Sequence, residues 1–162
     1  MPATKLTKLI FNNNTINTTG NFSYGIELKS SNFTNISSNT VNTTGNRSYG
    51  LSTVLSSWNN LTQNTVSTKG TSGNTYGVNL TSSSSNLLRE NTIMTSGLGG
   101  SNYGIFFQGS TSWNATGNTI NTSSGSSGFN YGIFANGASN FGTATDNFIN
   151  TSGTNENIGI IF

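Results

Sequence analysis

The stretch Tyr24-Gly25-Ile26-Glu27-Leu28-Lys29-Ser30-Ser31-Asn32-Phe33-Thr34-Asn35-Ile36-Ser37-Ser38-Asn39-Thr40-Val41 decides the fold. It opens on Tyr-Gly plus an aliphatic residue and closes on Asn-Thr plus an aliphatic residue, and both marks recur along the chain. Asn-Thr-Ile or Asn-Thr-Val begins at Asn14, Asn39, Asn64, Asn91 and Asn118, and Asn147-Phe148-Ile149 is an altered sixth copy, at steps of 25, 25, 27, 27 and 29 residues. The tyrosine mark stands at Tyr24, Tyr49, Tyr76, Tyr103 and Tyr131, with Ile158-Gly159-Ile160 as its sixth form. From each Tyr to the next Asn the distance is 15, 15, 15, 15 and 16, whereas from each Asn to its Tyr it is 10, 10, 12, 12, 13 and 11. Nearly all length variation therefore falls in one segment, from Thr18 to Ser23 in the first copy and from Thr122 to Asn130 in the fifth. Such a segment reads as a surface loop, where insertions are tolerated. A repeat of this length is the signature of a solenoid.

Within one copy the alternation is that of strands. In Asn14-Thr15-Ile16-Asn17-Thr18 the residues Asn14, Ile16 and Thr18 share one face, because successive side chains of a strand point to opposite sides. The same count makes Tyr24, Ile26 and Leu28 the inward set of a second strand. A third short strand is expected around Phe33 and Ile36, with Trp58 and Leu61 as counterparts, and Trp58 and Trp113 are read as its core residues. Three short strands cannot bury an apolar face alone, so the copies must stack, each coil pairing with the next at about 4.8 Å.

The composition fits stacking better than disorder. Asn (28), Ser (25), Thr (26) and Gly (20) make up about six in ten of the 162 residues, which form one domain. Disorder through low hydrophobicity also calls for high net charge, and here the net charge is +2 with 6% charged residues. Uncharged amides and hydroxyls suit strand ladders, where they bond to their own kind along the stack.

The run from Tyr24 to Val41 resembles the repeat of right-handed parallel β-helix proteins, the broad group with pectate-lyase-like and NosD-like coils, from about residue 6 to 162. The resemblance implies an all-β solenoid of about six coils, three short strands in each, as a single domain over 1–162. It also implies that Asn14, Asn39, Asn64, Asn91, Asn118 and Asn147 form an internal ladder of amides, a structural role. It implies nothing firm about activity, since this scaffold carries lyases, hydrolases, adhesins, tail spikes and structural proteins.

Most catalytic chemistry lacks its residues. Without His or Cys there is no zinc finger, thiol nucleophile, Ser-His-Asp triad or imidazole base. The four acids are Glu27, Glu90, Asp146 and Glu156, too few for a calcium cage of six to eight oxygens. Glu90 and Asp146 occupy the same repeat position two coils apart, about 9 to 10 Å, at the upper end of the carboxylate separation in inverting glycosidases. Gly117 stands between them, and no further acid, base or aromatic platform accompanies them. Copper delivery, which a NosD-like resemblance would suggest, has only Met1 and Met94 as soft ligands. No cofactor or metal is expected, and six scattered cations make no nucleic-acid stripe.

The order of charge says more than its total. All six cations (Lys5, Lys8, Lys29, Arg47, Lys69, Arg89) precede position 90, so residues 1–89 carry +5 and residues 90–162 carry −3. On a solenoid, sequence order is axial order, and opposite ends would attract between subunits. The chain starts on the apolar Leu6-Thr7-Lys8-Leu9-Ile10-Phe11 and stops at Ile158-Gly159-Ile160-Ile161-Phe162 partway round a coil, with no capping helix in its pattern. Bare ends recruit other strands, so Leu9, Phe11, Ile158, Ile160 and Phe162 form a candidate end-to-end interface, either between copies or onto further repeats. The outward position of the second strand reads Glu27, Ser52, Asn79, Phe106, Phe134, Ile161, which makes Phe106, Phe134 and Ile161 a candidate lateral interface unless the Gly/Ser loops cover them. On the first strand, Thr15, Thr40, Thr65, Thr92 and Thr119 line up beside Asn17, Asn42 and Asn121, an array resembling the ice-binding face of some β-solenoid antifreeze proteins.

No signal peptide or membrane-length apolar run is visible. Asn-x-Ser/Thr sequons occur twelve times, a mild excess over chance, which leaves glycans open as partners. The expectation from sequence is a non-enzymatic structural protein of an extracellular filament or cell-surface layer, joined head to tail as a homopolymer, without nucleic acid or membrane insertion. An adhesion or carbohydrate-binding segment of a larger surface protein is the second expectation, and an ice-binding protein the third.

Overall fold

The computed structural model of the chain describes residues 8–125 and 128–162, so Leu6 and Thr7 of the apolar start, and Lys5, lie outside the described residues. Six coils follow one another. The first holds β1 (Ile10–Asn12), β2 (Thr15–Thr19) and β3 (Phe22–Lys29); the second β4 (Asn35–Ser37), β5 (Thr40–Gly45) and β6 (Arg47–Val54). The third holds β7 (Asn60–Thr62), β8 (Thr65–Gly70) and β9 (Thr75–Thr81); the fourth β10 (Leu87–Arg89), β11 (Thr92–Gly97) and β12 (Asn102–Gln108). The fifth has β13 (Asn114–Thr116), β14 (Thr119–Ser124) and β15 (Asn130–Asn136), and the sixth β16 (Thr143–Thr145), β17 (Phe148–Ser152) and β18 (Asn157–Ile161). Each strand pairs in parallel with its counterpart one coil away, giving three six-stranded sheets wound as a right-handed parallel β-helix.

The core is a set of axial columns. Val41, Val66, Ile93 and Ile120 form one, Ile36, Leu61, Leu88 and Ala115 a second, and Leu51, Val78, Ile105 and Ile133 a third, all fully buried. Each buried aliphatic side chain is worth roughly 1.5–3 kcal/mol, which no single coil gathers in sufficient number.

Two expectations are corrected. The tyrosines do not point inward with Ile26 and Leu28. Gly25, Gly50, Gly77, Gly104 and Gly132 turn to the core, where an added methyl would collide with Val41, Val66, Ile93, Ile120 and Ile149 respectively. The aliphatic residue after each glycine also faces inward, so the alternation slips by one and puts the tyrosines outside. There they stack ring on ring, Tyr24 on Tyr49 at 4.6 Å, Tyr49 on Tyr76 at 4.7 Å, Tyr76 on Tyr103 at 4.9 Å and Tyr103 on Tyr131 at 5.1 Å.

The second correction concerns the third strand. Trp113 is buried and stacks on Phe107 at 4.0 Å, but Trp58 is 56% exposed and Phe33 41% exposed. Trp58 stands three residues before the core Leu61, whereas Trp113 stands two before the core Ala115. Only the even offset keeps a residue on the core face.

Candidate assembly surfaces

Most coils hold three left-handed backbone positions, one at the bend between their first two strands and two at the bend that leads into the next coil. The first column is Asn13, Ser38, Gln63, Glu90, Gly117 and Asp146; the second Ser30, Leu55, Ser82, Gly109 and Gly137; the third Phe33, Trp58, Ser85, Ser112 and Phe141, all with φ between 48° and 68°. At most of these positions the following residue gives its N–H to a side chain of the next coil in place of a backbone carbonyl.

At the first bend that side chain is the marker asparagine. The N–H groups of Asn14, Asn39, Asn64, Asn91 and Asn118 donate to Oδ1 of the asparagine one coil on, at 2.9–3.0 Å, and their Nδ2 groups donate to the same oxygens. The second Nδ2 hydrogen of Asn39, Asn64, Asn91, Asn118 and Asn147 goes to the carbonyl of Phe11, Ile36, Leu61, Leu88 and Ala115. Each interior marker amide is thereby satisfied, and every amide-to-amide bond runs the same way, its donor toward the C-terminal coil.

Sequence reasoning missed the ladders at the other bends. Ser56, Ser83, Ser110 and Ser139 accept the N–H of Ser31, Ser56, Ser83 and Ser110. Asn59 and Asn86 accept from Thr34 and Asn59. A further amide stack runs from Asn102 to Asn130 to Asn157, just before the tyrosine mark. Its signal was available, since Ser23, Ser48 and Thr75 hold that position in earlier copies.

The end faces differ from the middle. β1, β2 and β3 begin the three sheets, and β16, β17 and β18 finish them, each with a strand on one side only among the described residues. The core columns open accordingly. Ile16 and Ile149 are half-buried, Phe11 is exposed, and Ile160 is 42% exposed although Ile133, its counterpart, is fully buried. Leu9 is exposed, and Phe162, stacked over Trp113 at 6.0 Å, is exposed too. Ile158 departs from the expected interface set, because it pairs with Tyr131 and continues the outer tyrosine column.

The lateral stripe is corrected in part. Phe106 is 8% exposed, because the slip at the glycine brings Tyr76 and Tyr103 edge-on against it at 5.4 and 4.9 Å. Phe134 and Ile161 are half-buried. Burial pushes the hydroxyls of Tyr49, Tyr103 and Tyr131 up from the ordinary value, that of Tyr49 to about 12 with help from Tyr76 and Tyr24.

The β2 face carries Thr15, Thr40, Thr65, Thr92 and Thr119 in one register line that ends on Phe148, and Asn17, Asn42, Ser67, Met94, Asn121 and Asn150 in the next. Asn42 donates to Asn17 across coils. Two concavities flank the helix. A groove of about 510 Å³ follows the variable loops past Thr44, Lys69, Ser96, Leu98 and Ser123. A cleft of about 240 Å³ lies beside Phe33 and Trp58. The two carboxylates weighed for hydrolysis are both exposed, and Glu90 is held by Gln63 at 3.0 Å and lies 3.9 Å from Arg89. Among the described residues no three acids gather into a metal-binding group, and no helix is long and apolar enough to cross a membrane.

These features define a member of the right-handed parallel β-helix class by fold. No family model, curated protein or solved structure matches the chain.

Proposed function

We propose that this chain is a non-enzymatic structural subunit that joins copies of itself head to tail through its terminal coils, in an extracellular filament or cell-surface layer. The observation that carries the reading is the contrast along the core columns, closed through the middle coils and open at Phe11, Ile16, Ile149 and Ile160. Covering apolar surface of this kind is the dominant drive in association. The amide ladder adds polarity. Because its amide-to-amide bonds all run one way, like ends do not match, and the contact is heterologous; a heterologous contact that does not close generates a fibre. In that joint the donors of Asn147 meet the amide oxygen of Asn14 in the next copy.

The test is negative-stain electron microscopy of the purified protein beside Ile160→Lys. A lysine in the core column of the last coil should abolish polymers and leave the circular dichroism of the monomer unchanged. Unchanged fibres in the variant would refute the contact, and a wild-type protein that stays monomeric at high concentration would refute the function.

A further inference from the structure

The bend between the second and third coils differs from the two bends that follow it. Its two left-handed positions carry Leu55 and Trp58, with φ of 51° and 56°, where the next two bends carry Ser82 and Ser85, then Gly109 and Ser112. A left-handed backbone costs a residue with a β-carbon roughly 1–2 kcal/mol, and Leu55 and Trp58 also leave apolar surface in water, 62% and 56% exposed. Serine or glycine is tolerated at both places, so neither packing nor the turn asks for these side chains.

The geometry supplies the rest. Trp58 stacks on Phe33 at 5.4 Å with the planes 7° apart, so one indole face is covered. The opposite face looks toward the coil where the column continues as Ser85, and no second ring lies on it among the described residues. Beside the rings runs the cleft of about 240 Å³, lined by Lys8, Phe33, Thr34, Asn35, Trp58 and Asn60. The exposed Phe33–Trp58 stack beside the two primary amides of the cleft matches a sugar ring, whose C–H face is apolar and whose rim is hydroxyl. A lipid surface fits less well, because Lys29 is already paired with Glu27 at 3.1 Å and, among the described residues, Lys8 alone is left to meet anionic headgroups at this bend.

We infer that this bend is a glycan-binding site, with Trp58 as the platform and Asn35 and Asn60 as hydrogen-bonding partners. It is independent of the terminal coils and of polymer formation.

Titration of the folded protein with cellohexaose and with chitohexaose, followed by tryptophan emission, tests it. Trp113 is 1% exposed, so a change on adding saccharide reports on Trp58. The expected result is a saturable blue shift with a Kd of about 1 mM or below for at least one of them. Trp58→Ser should abolish saccharide-induced shifts in the amide NMR signals of Asn35 and Asn60 while leaving the fold intact, since Ser85 and Ser112 already occupy that position. Binding unaffected by Trp58→Ser would overturn the site. So would no response to either hexasaccharide, whether or not anionic phosphatidylserine vesicles or a second copy of the chain shift the emission instead.

Discussion

The marker asparagine illustrates how one residue type carries a fold that has few charges and no disulfides. At each first bend the backbone turns through a left-handed residue, and the following N–H would be orphaned inside the helix. An amide has two donors and an acceptor with two lone pairs, enough to take that N–H, bond its own copy and reach a carbonyl of the previous coil. Asn91 accepts from Asn64 N–H and Nδ2 and donates to the Leu61 carbonyl and to Asn118. Asn91→Ala therefore removes four hydrogen bonds, each worth about 0.5–1.5 kcal/mol net, and orphans the buried N–H of Asn64 at a further cost, and should lower stability by roughly 3 kcal/mol or more. Asn14 is exposed on the first coil, and Asn14→Ala should cost under about 1 kcal/mol. Denaturant unfolding of both variants checks the pair; equal losses would mean that the ladder is not what holds the bend. The asparagine periodicity was legible because its spacing repeats, whereas the serine ladder was not, because serine is too common in this chain for a column of it to stand out.

At the scale of the strand, the glycine after each tyrosine is the element that sequence reading handled least well. Strict alternation puts Tyr24, Ile26 and Leu28 together, and for Ile26 and Leu28 that is correct. The slip is invisible to a period of two, since a residue without a side chain can face the core without leaving an apolar mark. Trp58 is a different case, because its odd offset from Leu61 already marks it as outward and its aromatic character alone suggested the core. What the slip creates is a column of half-buried phenols, and it has a consequence in alkali. The hydroxyl of Tyr49 is pushed up to about 12 from 10.0, first by burial and then by Tyr76 and Tyr24. A raised value means that between pH 10 and 12 the unfolded chain has given up a proton that the native state still holds. Stability then falls as pH rises through that window and is fully present below it. Urea midpoints measured at successive pH values from 9 to 12 should decline above 10, and Tyr49→Phe should decline less steeply. A wild-type midpoint that stays flat to pH 12 would sink this account.

The whole molecule is a quasi-one-dimensional stack in which each coil touches only its neighbours, so stability accumulates with the number of interfaces. Under the proposed head-to-tail joining, charge would set how quickly the two end coils meet. Residues 1–89 carry +5 and residues 90–162 carry −3, and Asp146 and Glu156 sit exposed on the last coil while Lys8 sits exposed on the first. Opposite potentials at the two ends steer encounter, and steering acts on the association rate more than on the strength of an apolar contact. The rate of polymer growth, followed by light scattering, should thus fall as sodium chloride rises from about 0.1 M to about 1 M, over which the screening length shrinks from about 10 Å to about 3 Å. The final polymer mass should change little, because covering Phe11, Ile16, Ile149 and Ile160 does not depend on screening. Asp146→Asn together with Glu156→Gln should slow growth at low salt and remove most of its salt dependence. If growth is equally fast at both salt concentrations, the charge order along the chain has no part in assembly, and the join is made by apolar contact alone.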